Sequence, residues 1–222
     1  MAIQFSFGKI VTNGLVLALN AADRNSYLGS GNDWIDLSAN NNNGTLTNGP
    51  TFNTTNGGNI VLDGTNDFVN CGNNSSLQIT VGTISSWVKT SIPGSSYRGI
   101  ITKQSAWGLF LNNGVLIAYD WGGGGDRTTG INIADNTWKN VVMTFTETVG
   151  TPSNNAIVYL NGVSVLTATV RHVSHSVSVQ IGDGNASQNL NGSVSTAMIY
   201  NRVLSASEIQ QNYNAQKSRF GL

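Results

Sequence analysis

The segment Asp63-Gly64-Thr65-Asn66-Asp67 places two carboxylates and a carboxamide between the apolar runs Ile60-Val61-Leu62 and Phe68-Val69. Such a set can do three kinds of chemistry. Two carboxyls about 5 to 10 Å apart are what glycoside hydrolysis needs. Oxygens from Asp63, Asn66 and Asp67, with Asp183 approaching from the stretch IGDGN, would suit a hard cation such as Ca2+. Asp-Gly and Asn-Asp pairs are also what turns use to bond their own backbone. Turn chemistry is the preferred reading, and Ca2+ stays open beside it.

A second chemistry is suggested by AYDWGGGGDRTTG, residues 118–130. Sugar binding needs an exposed aromatic platform with polar groups beside it. Trp121 stands between Asp120 and four glycines, with Asp126 and Arg127 following, in what is expected to be a loop. Trp107 and Tyr97, in KQSAWG and SSYRG, are lesser candidates. Loop packing or a subunit contact are the competing roles for Trp121.

Other constellations fall short of a site. His172 and His175 form H-x-x-H, but in a strand this odd spacing points the two rings to opposite faces, so zinc ligation is not expected. No G-x-S-x-G elbow supports a serine triad, and Cys71 is alone, without a convincing catalytic partner. The run Gly122–Gly125 follows a strand but is followed by neither a helix nor a lysine, so it is no phosphate loop.

These residues must be held by strands. Asn161-Gly162 within AIVYLNGVSVL and Asn112-Asn113-Gly114 within GLFLNNGVLIAYD sit between apolar runs, as hairpin turns require. Further strands are expected at 15–20, 60–62, 68–69, 84–89, 100–103, 141–146, 177–181 and 194–200. One helix is expected at about 206–214, because Ser205-Ala206-Ser207-Glu208 is a capping box. Residues 38–58 read as an ordered loop anchored by Leu46 and Phe52, with Pro50 as a rigid turn.

The 222 residues fit one all-β domain spanning 1–222, with a core at about 14–215. Charged residues are only 10% of the chain and the formal net charge is zero, which gives no bulk attraction for nucleic acid or an anionic membrane. The longest apolar run, 15–19, is far short of the roughly 20 residues of a spanning helix, so no membrane insertion is expected. The 30 Asn outnumber the 22 charged residues, so solubility rests on neutral polar groups and turns are many. The start, MAIQFSFGKIVTNG, lacks the basic n-region and long apolar h-region of a secretory signal, so a mature chain beginning near Met1 is expected.

Taken in order, IVLDGTNDFV, ISSWVKT, NTWKNVVMTF, IVYLNGVSV and IGDGNASQNLNGSVSTAMIYNRVLSASEIQQNYNA resemble successive motifs of the laminin G-like, concanavalin A-like lectin/glucanase superfamily. The resemblance covers about residues 14–215 and implies a two-sheet antiparallel jelly-roll sandwich with one short C-terminal helix. It assigns Trp87 and Trp138 to packing and makes 60–69 a strand–turn–strand hairpin whose Leu62 and Phe68 anchor the core. Related domains often hold calcium at the sandwich rim. Many relatives carry an acidic residue where this chain has Ser195 and Thr196, and retaining glucanases of this fold carry E-x-D-x-E. Here the only glutamates are Glu147, which has no acidic neighbour at that spacing, and Glu208, the helix cap. Catalysis is therefore not expected.

Residues 14–52 and 212–222 also resemble the ends of laminin G-like proteins encoded by tailed bacteriophages. That implies a virion surface protein of capsid, neck or tail, multimeric on the particle, made in the host cytoplasm without a signal peptide. Glycan binding, pure structural decoration and, less favoured, glycan cleavage are the functions it leaves open.

Overall fold

Among the described residues eight non-glycine positions have left-handed φ, and seven of them are Asn. Asn tolerates this region because its short amide can bond locally, so the Asn-rich composition is the turn inventory of a many-stranded fold. Asn161 and Gly162 (φ 52° and 80°) and Asn113 and Gly114 (φ 50° and 81°) close the two expected hairpins. The structure, a computed structural model, describes residues 9–92, 96–146, 150–184 and 187–222.

The strands are β1 (Leu15–Asn20), β2 (Asp33–Trp34), β3 (Gly44–Thr47), β4 (Thr51–Asn53), β5 (Asn59–Asp63), β6 (Phe68–Asn70), β7 (Gly82–Lys89) and β8 (Tyr97–Lys103). They continue with β9 (Trp107–Asn112), β10 (Val115–Asp120), β11 (Gly125–Asn132), β12 (Lys139–Phe145), β13 (Ala156–Leu160), β14 (Val163–Ala168), β15 (Val179–Ile181) and β16 (Asn191–Tyr200), and end in one helix, α1 (Ala206–Gln216). The first sheet runs β14-β13-β12-β7-β16-β5-β4, with β1 pairing the C-terminal half of β16 where β5 pairs its N-terminal half. The second runs β11-β10-β9-β8-β15-β6-β3-β2. The expected all-β, two-sheet antiparallel sandwich with one C-terminal helix is what forms.

Alternation along the strands builds the core. Ile84 and Val88 from β7, Val141 and Met143 from β12, Leu109 and Leu111 from β9, and Leu116 and Ala118 from β10 all enter one buried cluster between the sheets. A bulge in β16 between Val194 and Thr196 changes the phase, so Val194, Ala197 and Ile199 all face inward. The extra residue is Ser195. Its hydroxyl donates to the Gly58 carbonyl (2.7 Å) and accepts from Arg219. Burial lowers the Arg219 pKa to about 10.

The C-terminal segment covers part of the outer face of the first sheet. Met198, Tyr200 and Ile209 of α1 share one apolar cluster, and Trp87 stacks on Phe220 at 4.0 Å beside Trp138. Both tryptophans are therefore packing residues, as expected. The capping box forms: Ser205 Oγ accepts from the Glu208 amide, and the Ser205 amide donates to Glu208 Oε2 at 2.8 Å. Arg202 adds a bidentate pair at 2.6 and 2.9 Å. That pair and the cap together hold Glu208 down at about 2.

Several expectations need correction. Segment 60–69 is not a hairpin: β5 lies in the first sheet and β6 in the second, so residues 64–67 carry the chain from one sheet to the other. Within it Val69, not Phe68, reaches the core beside Leu62, since Phe68 is only half-buried. Residues 38–58 contain β3 and β4 rather than loop alone, and Leu46 does anchor them. His172 and His175 lie outside any strand with ring centroids 4.7 Å apart, so strand parity does not separate them. No helix among the described residues is long and apolar enough to cross a membrane.

Candidate functional site

The outer face of the second sheet carries no helix among the described residues, and a cluster of aromatic side chains sits there. Inward Leu109 and Leu111 leave Phe110 pointing outward from β9, and inward Leu116 and Ala118 do the same for Tyr119 on β10. Trp121 follows directly in the β10–β11 turn. Its ring lies 5.0 Å from Tyr119 and 5.8 Å from Phe110, both tilted near 60°. Tyr97 of β8 meets Phe110 and Tyr119 edge-on at 6.4 and 5.9 Å. These rings, with Gln104 from the β8–β9 turn and Gln188, line a cleft of about 170 Å³.

Two glycines make the seat. A Cβ on Gly108 would stand 2.7 Å from the Phe110 ring and 3.2 Å from the Trp121 indole, and one on Gly184 would stand 2.4 Å from Phe110. Neither position could carry a side chain without moving a ring.

The polar groups divide into two sets. On the cleft side, Asp126 accepts from Tyr97 Oη at 2.9 Å and Asn112 Nδ2 at 2.6 Å. That bond to Asp126, with burial behind it, raises the Tyr97 phenol to about 12, so Tyr97 is a locked donor rather than a proton shuttle. On the opposite face of β10, the side chain of Asp120 is wholly buried. It accepts from Arg127 Nη2 (2.5 Å), Arg171 Nη2 (2.6 Å) and the amides of Gly123 (2.9 Å) and Arg171 (3.0 Å). Burial alone would raise this carboxyl, but the Arg171 and Gly123 hydrogen bonds and the two guanidinium charges outweigh it and hold it below the usual range.

Of the six residues expected around a sugar, the structure brings Trp121 and Tyr97 together, with Asp126 behind Tyr97. Trp107 is not among them: it is fully buried in the inter-sheet core against Phe145 at 6.2 Å. Asp120 and Arg127 are paired with each other and brace the turn that carries Trp121, rather than facing a ligand. Asp126 and Arg127 sit on β11, not in a loop. Phe110 and Tyr119 join the cleft beyond those six, and the alternation in GLFLNNGVLIAYD carries their outward phase. No sequence signal marks Gln104 or Gln188.

The carboxylates of the 63–67 link serve their own turn. Asp63 Oδ1 accepts from the amides of Thr65 (2.7 Å) and Asn66 (3.3 Å), and Asp67 Oδ2 accepts from the amide of Asp63 (3.1 Å). The Thr65 bond leads the lowering of the Asp63 pKa, whereas burial raises that of Asp67. The Asn66 carbonyl accepts from Asn48 Nδ2 and that of Asp63 from Asn191 Nδ2. Asp183 is buried elsewhere, its carboxylate accepting from the Gln188 amide and its carbonyl from Thr102. Among the described residues no group of three or more His, Cys, Asp and Glu side chains is placed to share a metal ion, so Asp183 does not join Asp63 and Asp67. Glu147 lies outside the described residues.

Solved structures share this architecture. The binding domain of Paraclostridial Mosquitocidal Protein 1 superposes with a TM-score of 0.70 at 20% identity, over 91% of this chain and 52% of that one. Domain 4 of an extracellular arabinanase of family GH43 from Geobacillus stearothermophilus, solved with arabinotriose, gives 0.69 at 17%, over 91% of this chain and 100% of that one. A Trypanosoma rangeli sialidase gives 0.71 at 15%, over 99% of this chain and 36% of that one. The chain thus spans about half of the toxin binding domain and a third of the sialidase. No curated protein matches it. Residues 63–210, from the link between the sheets into α1, match the family model described as the concanavalin A-like lectin/glucanases superfamily, and the chain belongs to that superfamily.

Proposed function

We propose that this is a non-enzymatic, glycan-binding protein of a bacteriophage virion surface, which takes its sugar in the cleft beside Trp121. The observation that carries the binding reading is the half-buried Trp121 indole, set against Tyr119 and Phe110 and flanked by two glutamines on the face of the sandwich that α1 leaves uncovered. Aromatic faces with a few polar groups are what sugar rings bind. The arabinanase domain solved with arabinotriose, which shares the fold, supports the same reading. Catalysis lacks its machinery in the described residues: Glu208 is consumed by Arg202 and the helix cap, and Asp63 and Asp67 by their turn.

The resemblance of residues 14–52 and 212–222 to phage-encoded proteins supports display on a capsid, neck or tail, in several copies beside other virion proteins. Two experiments test the proposal. A glycan array probed with the protein and with Trp121→Ala should show binding that the variant loses; an array with no binder leaves a purely structural decoration protein. Mass spectrometry of purified virions should find the chain, and its absence would refute the virion assignment.

A further inference from the structure

The cleft beside Trp121 has a composition that selects among sugars. Its lining residues, Tyr97, Gln104, Phe110, Tyr119, Trp121 and Gln188, carry no formal charge. The adjacent carboxylate, Asp126, is bonded by Tyr97 and Asn112 and joins no ion pair among the described residues. The nearby guanidiniums, Arg127 and Arg171, turn toward Asp120 on the other face of β10. A carboxylate-bearing sugar entering the cleft would lose water and gain no cation, while Asp126 repelled it.

One lining atom also asks for a ligand. Gln104 Oε1 is buried and has no hydrogen-bond partner, whereas buried amide oxygens are nearly always satisfied. That oxygen is shielded where it stands, so the half-buried Gln104 side chain must turn it into the cleft, where a hydroxyl donor would complete it. At about 170 Å³ the cleft is well below the roughly 300–1,000 Å³ of pockets that enclose drug-sized ligands, so it encloses one ring rather than a chain.

Resting on the glycan-binding proposal, we infer that the cleft recognises a single uncharged sugar ring, stacked on Trp121 with one hydroxyl donated to Gln104, and rejects acidic sugars. The test is calorimetric titration of the unaltered protein with matched neutral and acidic probes: lactose against sialyllactose, and galactan against polygalacturonate. The neutral member of a pair should bind at least tenfold more tightly than its acidic counterpart. Gln104→Leu, similar in size but without the acceptor, should weaken neutral binding about tenfold with an unchanged circular dichroism spectrum. Equal or tighter binding of the acidic probes would overturn the inference and leave the glycan-binding proposal standing. Binding of no probe, nor of any glycan on the array, would overturn both. Neutral binding undiminished in Gln104→Leu would remove Gln104 from the recognition.

Discussion

The Trp121 indole lies over the bare backbone of Gly108, close enough that a Cβ there would stand 3.2 Å from Cη2 of the ring. The platform therefore depends on a residue that contributes no side chain to it. Gly108 is a regular β9 residue, outside the left-handed positions, so its role is space rather than conformation. Gly108→Val suits a strand but pushes on Trp121, Phe110 and Thr102. We expect loss of glycan binding, at least tenfold by titration, with an overpacking cost of about 1–3 kcal/mol in denaturant melts. Binding retained at full strength would show that the ring is not fixed by this seat.

Asp120 is the second support. Removing its charge leaves Arg127 and Arg171 facing each other beside a buried amide. Both arginines keep about 30% of their side chains exposed, which tempers the cost. Asp120→Asn should destabilise the fold by ~2–4 kcal/mol, near the range for breaking a buried pair, and loosen the 121–124 turn, visible as a shift in Trp121 fluorescence. Because the folded-state pKa of Asp120 is below its unfolded value, its stabilisation is present above about pH 4 and is lost as pH falls through the folded value. Asp120→Asn should flatten that acid limb.

The fold was largely legible in the chain because turns and alternation are local. Asn161-Gly162, the capping box at Ser205 and the inward phase of Leu109 and Leu111 all depend on neighbours within a few residues. Two kinds of information were not local. Whether Asp63 to Asp67 joins partners in one sheet or crosses to the other depends on the neighbours of β5 and β6: β4 and β16 for the first, β3 and β15 for the second, with β16 and β15 more than a hundred residues away. Likewise Trp107 and Trp121 look alike as tryptophans near turns, and only strand register sends one into the core and the other onto the surface. The glutamines that complete the cleft come from separate loops and have no motif.

The loop holding His175 should make the protein acid-sensitive in a defined window. Both ring nitrogens of His175 are buried without a partner, and burial, with the nearby His172 and Lys103, depresses its pKa to about 4. The unfolded chain takes a proton below about 6.5, whereas the folded one does so only near 4. Stability is therefore full above pH 6.5 and falls as pH drops from 6.5 toward 4. Allowing for solvent at the ring edge, the loss is on the order of 1 kcal/mol. His175→Phe should remove this slope in urea midpoints measured between pH 7 and 4.5, and an unchanged slope would assign it to other groups.

Calcium is the remaining question for the link at Asp63 and Asp67. A Ca2+ site takes 6–8 oxygens, yet Asp63 Oδ1, Asp67 Oδ2 and the carbonyls of Asp63 and Asn66 already accept hydrogen bonds from the protein. Binding would have to strip several of these from a turn that crosses between the sheets. We therefore expect equal melting midpoints in millimolar calcium and in chelator. A cation present at a hundred times its dissociation constant would add about 2.7 kcal/mol to the folded state, which for a chain of this size is a rise of roughly 5–10 °C. A shift of that size, abolished by Asp67→Ala, would move these carboxylates from turn chemistry to metal binding. With midpoints equal, Asp67→Ala should instead cost about 1 kcal/mol with or without calcium, because the Asp63 amide loses its acceptor.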